Sequence, residues 1–124
     1  MKRPRTGGII IVGPCASGKS SLASGLRQAG WRARQIAQEH SYVPNMWQVL
    51  SQPELLIFLD ADFETCTRRK SLDWGPADYE AQQARLAHAR RHCDLYMATD
   101  GLTLEQVLQQ TIAWLDGQPG RAAV

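Results

Sequence analysis

The segment Gly13-Pro14-Cys15-Ala16-Ser17-Gly18-Lys19-Ser20 constrains this chain more than any other stretch. It separates two opposite patterns. Before it, Gly7–Val12 is a short β-branched run of the kind that makes a strand buried on both faces. After it, Gly18–Ala29 places Leu22 and Leu26 on one helical face and stops near Gly30. Buried strand, glycine-bearing turn and amphipathic helix, in that order, are the first half of a strand–helix–strand unit, whose two strands run parallel.

The alternation continues to the end of the chain. Arg34–Gln38 reads as a second, less apolar strand. Pro44 opens a short helix through Leu50, since proline suits a first helical turn, and Ser51-Gln52-Pro53 breaks it. Leu55–Asp60 is another buried strand. Asp62 caps a helix from about Phe63 to Leu72, and Asp73-Trp74-Gly75-Pro76 is a turn. Ala77–His92 reads as one long helix with Tyr79, Gln83, Leu86 and Ala89 or Arg90 along a stripe. Leu95–Ala98 is a short last strand. Thr103 and Gln106 form a capping box, and Leu104, Val107, Leu108, Thr111, Ile112 and Leu115 follow at helical spacing. The predicted fold is α/β: a parallel sheet of four or five strands between two helical layers. The 124 residues suit a single domain with flexible ends at about 1–6 and 117–124.

Composition narrows the function classes. No stretch approaches the ~18 uninterrupted apolar residues of a membrane span. Lys2, Arg3 and Arg5 are followed at once by a strand, not by the apolar stretch and cleavage site of a secretory signal. Cys15, Cys66 and Cys93 are odd in number and have no metal-ligand spacing, which fits free thiols in a reducing compartment. The expectation is a cytoplasmic protein. A formal charge of +2 does not imply nucleic-acid binding. The basic clusters Arg68-Arg69-Lys70 and Arg85–Arg91 leave it open.

Gly13–Ser20 matches G-x-x-x-x-G-K-[ST] at every fixed position. Glycines let a backbone curl until successive N–H groups point at phosphate oxygens. The following helix start adds its free N–H groups and positive dipole end. Lys19 brings a mobile charge to the β- and γ-phosphates, and the Ser20 hydroxyl is placed for Mg²⁺, with Ser21 beside it in the first turn. Lys19 is expected to serve the ligand and not the packing. No Asn-Lys-x-Asp guanine motif is present, and the chain is too short for a helicase. ATP with magnesium is the expected ligand.

Together these motifs resemble the small P-loop kinases, a family that includes nucleoside monophosphate, shikimate and adenylylsulfate kinases. The likeness covers Gly7–Ser20 and nearly all of Pro53–Leu115. Leu55–Asp60 with Glu64 and Arg68-Arg69 is similar to the strand leading into the lid. Tyr79–Arg91 resembles the helix returning from it, and Asp94–Gly101 resembles the last strand and its loop. The resemblance implies a P-loop NTPase fold and transfer of the γ-phosphoryl group of ATP to a small-molecule acceptor. It implies that Arg69 approaches the base or the phosphates. It puts Arg85, supported by Arg90 or Arg91, at the transferring group, where arginine's planar fork suits the equatorial oxygens. The loop after the last strand, with Asp100, would touch the base. The chain departs from the family between Gly30 and Gln52, where the acceptor segment is short. A nucleotide-dependent switch or ATPase completed by a protein or nucleic-acid partner is the alternative. Within that segment Glu39 lies beyond a strand's carboxyl end, where open parallel sheets bind ligands. Glu39 and Asp60 compete for the magnesium or base role. Tyr42 and Trp47 are candidates to stack on a planar acceptor.

Overall fold

The computed structural model describes residues 8–71 and 73–118. The expected flexible ends fall outside this range, except Gly117 and Gln118, which close the last helix. Four strands form one sheet: β1 (Ile9–Val12), β2 (Ala33–Gln35), β3 (Leu55–Asp60) and β4 (Leu95–Ala98). Their order is β2-β1-β3-β4, and all three pairings are parallel. The helices are α1 (Lys19–Gln28), α2 (Met46–Leu50), α3 (Phe63–Lys70), α4 (Pro76–Arg85), α5 (Ala87–His92) and α6 (Leu104–Asp116). A 3-10 turn spans Gln38–His40.

Side chains alternate across a strand, so β1 and β3 feed two cores. Ile9, Ile11, Ile57 and Leu59 meet Leu22 and Leu26 of α1 and Val107 and Leu115 of α6. Ile10, Val12, Leu56 and Phe58 meet Trp47, Leu86 and Ala89 on the opposite face. With helices on both faces, these two strands are apolar along almost their whole length. The expected α/β architecture with a parallel sheet and two helical layers is observed, with four strands.

Four local expectations change. The short helix through Leu50 starts at Met46 with Asn45 at its N-cap, not at Pro44. The second strand ends at Gln35 instead of Gln38, because Ile36 turns into the core and Gln38 starts the 3-10 turn. The helix from Phe63 stops at Lys70, where Ser71 takes a positive φ of 51°. The long helix over 77–92 is two helices. Leu86, fully buried, marks the break, and its N–H is shared between the carbonyls of Gln82 and Gln83 at 3.1 and 3.2 Å. The caps hold as expected. Asp62 Oδ1 accepts from Thr65 N–H at 2.8 Å, and this bond keeps the Asp62 carboxyl below its ordinary range. Thr103 and Gln106 cap each other at 2.9 and 3.0 Å.

Candidate functional site

The loop from β1 to α1 is shaped by close contact with β3. A Cβ on Gly13 would stand 2.0 Å from the Leu59 carbonyl oxygen and 2.8 Å from Ser17 Oγ, so only glycine lets the loop rest there. Gly18 precedes α1 with φ +104°, a left-handed conformation that glycine adopts without strain. The first N–H groups of α1 have no carbonyl within the helix to bond.

Lys19 turns back under this loop. Its ammonium donates to the carbonyls of Gly13 and Pro14, both at 2.9 Å, and lies 3.0 Å from Glu39 Oε2. These three acceptors match its three N–H donors. Both side chains are deeply buried, at 6% and 5% exposure. Glu39 Oε1 and Ser17 Oγ, also buried, have no hydrogen-bond partner among the described residues. Buried polar atoms without partners are uncommon, and both belong to residues lining the adjoining cavity. A buried ion pair is costly to break from one side, because the remaining charge is stranded. The expectation that Lys19 has no part in packing is therefore corrected: it also neutralises Glu39.

The cavity of about 590 Å³ is walled by residues 15–22 of the loop and α1, by Gln35, Glu39 and His40, by Arg69 and Lys70, and by 99 and 102–104 with Val107. Arg69 ties its far wall together. It donates to the Ala16 carbonyl at 3.1 Å, to Thr99 Oγ1 at 3.0 Å and to the Thr99 carbonyl at 2.5 Å. Thr99, fully buried, is hydrogen-bonded through Oγ1 to the carbonyls of Ser17 and Asp60, each at 3.1 Å. On the near wall Cys15 is clamped by Gln82. The Cys15 N–H donates to Gln82 Oε1 at 3.0 Å, and Gln82 Nε2 donates to Cys15 Sγ at 3.2 Å.

The structure thus gathers Cys15, Ala16, Ser17, Gly18, Lys19, Ser20, Ser21, Glu39 and Arg69 around one cavity, with Gly13 and Pro14 giving carbonyls to Lys19. Three expected residues stand elsewhere. Asp60 faces α4 and β4: its oxygens accept from Ala61 N–H, Gln83 Nε2 and Tyr96 OH at 2.9, 3.0 and 2.6 Å. Burial, and then that bond to Asp60, push the Tyr96 hydroxyl up to about 12. Arg85 donates to the Glu39 carbonyl at 3.2 Å and lies over the exposed Tyr42 ring at 4.7 Å, so it braces the 3-10 turn from outside the cavity. Asp100 accepts from Asp62 N–H at 2.8 Å. None of the three contributes to the cavity wall. Of the supporting arginines, Arg90 is bonded to Gln83 and lies over Phe58. Trp47 is buried in the sheet core, with its indole N–H on His88 at 3.2 Å, which removes it as a stacking platform.

Sequence reasoning missed Gln82 and Thr99, and it noted Gln38 without its role. Gln38 is fully buried and bonds the carbonyls of Val43 and Arg85 and the N–H of Trp47, which folds 38–47 around one amide. Gln82 carried a usable signal. It falls between Tyr79 and Leu86 on an inward stripe, where an amide must find buried partners. Compared with known proteins, the chain matches no family model and no curated protein sequence.

Proposed function

We propose that this chain is a small P-loop kinase. It binds the phosphates of ATP with magnesium over Gly13–Ser20 and transfers the γ-phosphoryl group to a small-molecule acceptor. The observation that carries this reading is the buried Lys19 ammonium, held by Gly13, Pro14 and Glu39 under a motif-matching loop at the start of α1. Phosphate oxygens compete with those carbonyls for the ammonium, and the first N–H groups of α1 receive the anion. Ser20 and Glu39 both line the cavity, and Glu39 has a free oxygen, so the donors suit a hard, oxygen-ligated cation. Magnesium, when bound, supplies charge neutralisation on the phosphates. Asp60 suits that role less well, since it does not line the cavity and its oxygens already accept from Ala61, Gln83 and Tyr96. Arg69 fixes the loop through Ala16 and Thr99 and presents its charge to the cavity.

The switch or ATPase reading keeps one specific support. Among the described residues Arg69 is the arginine on the cavity wall, and its N–H groups already hold backbone carbonyls. Further charge for a transferring phosphoryl group would then come from a partner. The setting we propose is the cytoplasm, on the three free thiols. Among the described residues no helix is long and apolar enough to cross a membrane. Titration calorimetry with MgATP, followed by ATP turnover with pooled small acceptors, tests both readings. Stimulation by a small acceptor supports the kinase. Stimulation only by a protein or nucleic acid supports the switch. Absence of MgATP binding overturns both.

A further inference from the structure

We propose that Cys15, Glu39 and His40 form a site for a thiophilic divalent cation, with zinc the best match to the donor set. One sulfur, one carboxylate oxygen and one imidazole nitrogen, one from each residue, lie within 4.8 Å of one another. Cys15 Sγ is 3.5 Å from His40 Nε2, and His40 Nε2 is 3.7 Å from Glu39 Oε2. Zinc bonds of ~2.3 Å to sulfur and ~2.0–2.2 Å to nitrogen and oxygen, at tetrahedral angles, space such donors about 3.3–3.6 Å apart. The Cys15–His40 edge already fits, the His40–Glu39 edge lies just beyond that range, and the remaining edge, within 4.8 Å, closes with side-chain movement.

A second, independent observation points to a cation here. The Glu39 side chain is 5% exposed, and its Oε1 has no hydrogen-bond partner among the described residues. Lys19 engages the other oxygen, Oε2, which is also the one 3.7 Å from His40, so a cation here either shares Oε2 with the ammonium or draws Oε1 toward itself. The surroundings are built as metal sites are. Gln82 Nε2 donates to Cys15 Sγ and Gln82 Oε1 accepts from Cys15 N–H, which holds the sulfur in place. His40 is 57% exposed, giving access from solvent and room for water as a fourth ligand. Magnesium is excluded by chemistry, because a hard cation does not select a thiolate. Binding releases the Cys15 thiol proton to solvent, so affinity rises with pH. The site needs no nucleotide and is tested without it; because Glu39 is also the magnesium candidate of the proposed function, zinc here and magnesium there compete for one carboxylate.

The test uses the full chain, metal-free, reduced and without nucleotide. Zinc is titrated in competition with a chromophoric chelator, and cobalt(II) is titrated for its near-ultraviolet thiolate band. The expected result is one equivalent of zinc, a thiolate–cobalt band, and no displacement by millimolar magnesium. Cys15→Ser removes the band, and Cys15→Ser and His40→Ala each weaken zinc binding by ~10-fold or more. Circular dichroism confirms folding of each variant. His40→Ala truncates a largely exposed ring and so stands as a test even if Cys15→Ser disturbs the loop. Lack of a thiolate band in the wild type, or unchanged zinc affinity in folded His40→Ala, overturns the proposal.

Discussion

Glu39 and Asp60 look alike in sequence, each an acidic residue at or just past the carboxyl end of a strand, yet their surroundings make them opposites. Asp60 accepts from the N–H of its neighbour Ala61, from an amide on α4 and from a hydroxyl on β4. It is a bracket between secondary-structure elements. Glu39 has one oxygen on the Lys19 ammonium and another on nothing, at the edge of the cavity. The lesson is that the number of unmet lone pairs, and not position along a strand, separates a residue that holds the fold from one that is ready for a ligand.

The contrast breaks most visibly through Lys19. Lys19→Ala strands a buried carboxylate, so urea denaturation should show a loss of ~3–5 kcal/mol. MgATP affinity by calorimetry should fall by ~10²-fold or more, the scale of a lost charge-assisted contact. A folded, fully stable variant with normal affinity would remove Lys19 from both roles. Glu39→Gln comes next. Its carbonyl still accepts from Lys19, so stability should drop by only ~1–3 kcal/mol. Turnover should fall ~10²-fold, with MgATP still bound through the loop. A normal rate would end the case for Glu39. Asp60→Asn should be the mildest, with turnover within ~3-fold of wild type, since its neighbours are structural. Its signature is spectroscopic. Tyr96 binds its proton more tightly folded than unfolded, so its contribution to stability is present below pH 10 and lost as pH rises through about 12. Removing the Asp60 charge should lower the Tyr96 midpoint in an ultraviolet titration and narrow that window. Burial, the larger cause, should keep the midpoint above the ordinary tyrosine value. An inactive but folded Asp60→Asn, with normal Glu39→Gln, would reverse the assignment of the two carboxylates.

Much of the fold was legible because the signals are local. Ile9–Val12, Leu55–Asp60 and the Thr103 cap declare themselves within a few residues. The 13–20 loop was legible for the same reason. What was not legible depends on which elements become neighbours. Glu39 meets Lys19 because β2 lies beside β1, an order that no local pattern states. Leu86 reads as mid-helix, yet the break falls there. Arg85 has the chemistry of a phosphate ligand but is turned onto Tyr42 and the Glu39 carbonyl. The cysteines show no ligand spacing along the chain, yet the β1–α1–β2 crossover brings Cys15 to Glu39 and His40.

The loop reads as a local motif, yet its shape is borrowed. Gly13 rests on the Leu59 carbonyl, and the Ser17 carbonyl is held by Thr99 at the end of β4. In a sheet whose strands are all parallel, those partners arrive only after long crossovers have closed. During folding the loop can therefore settle only after β3 and β4 are in place, so its native shape follows assembly of the sheet and does not guide it. A peptide spanning β1 and α1 alone would carry every residue of the motif and lack the contacts that give it form.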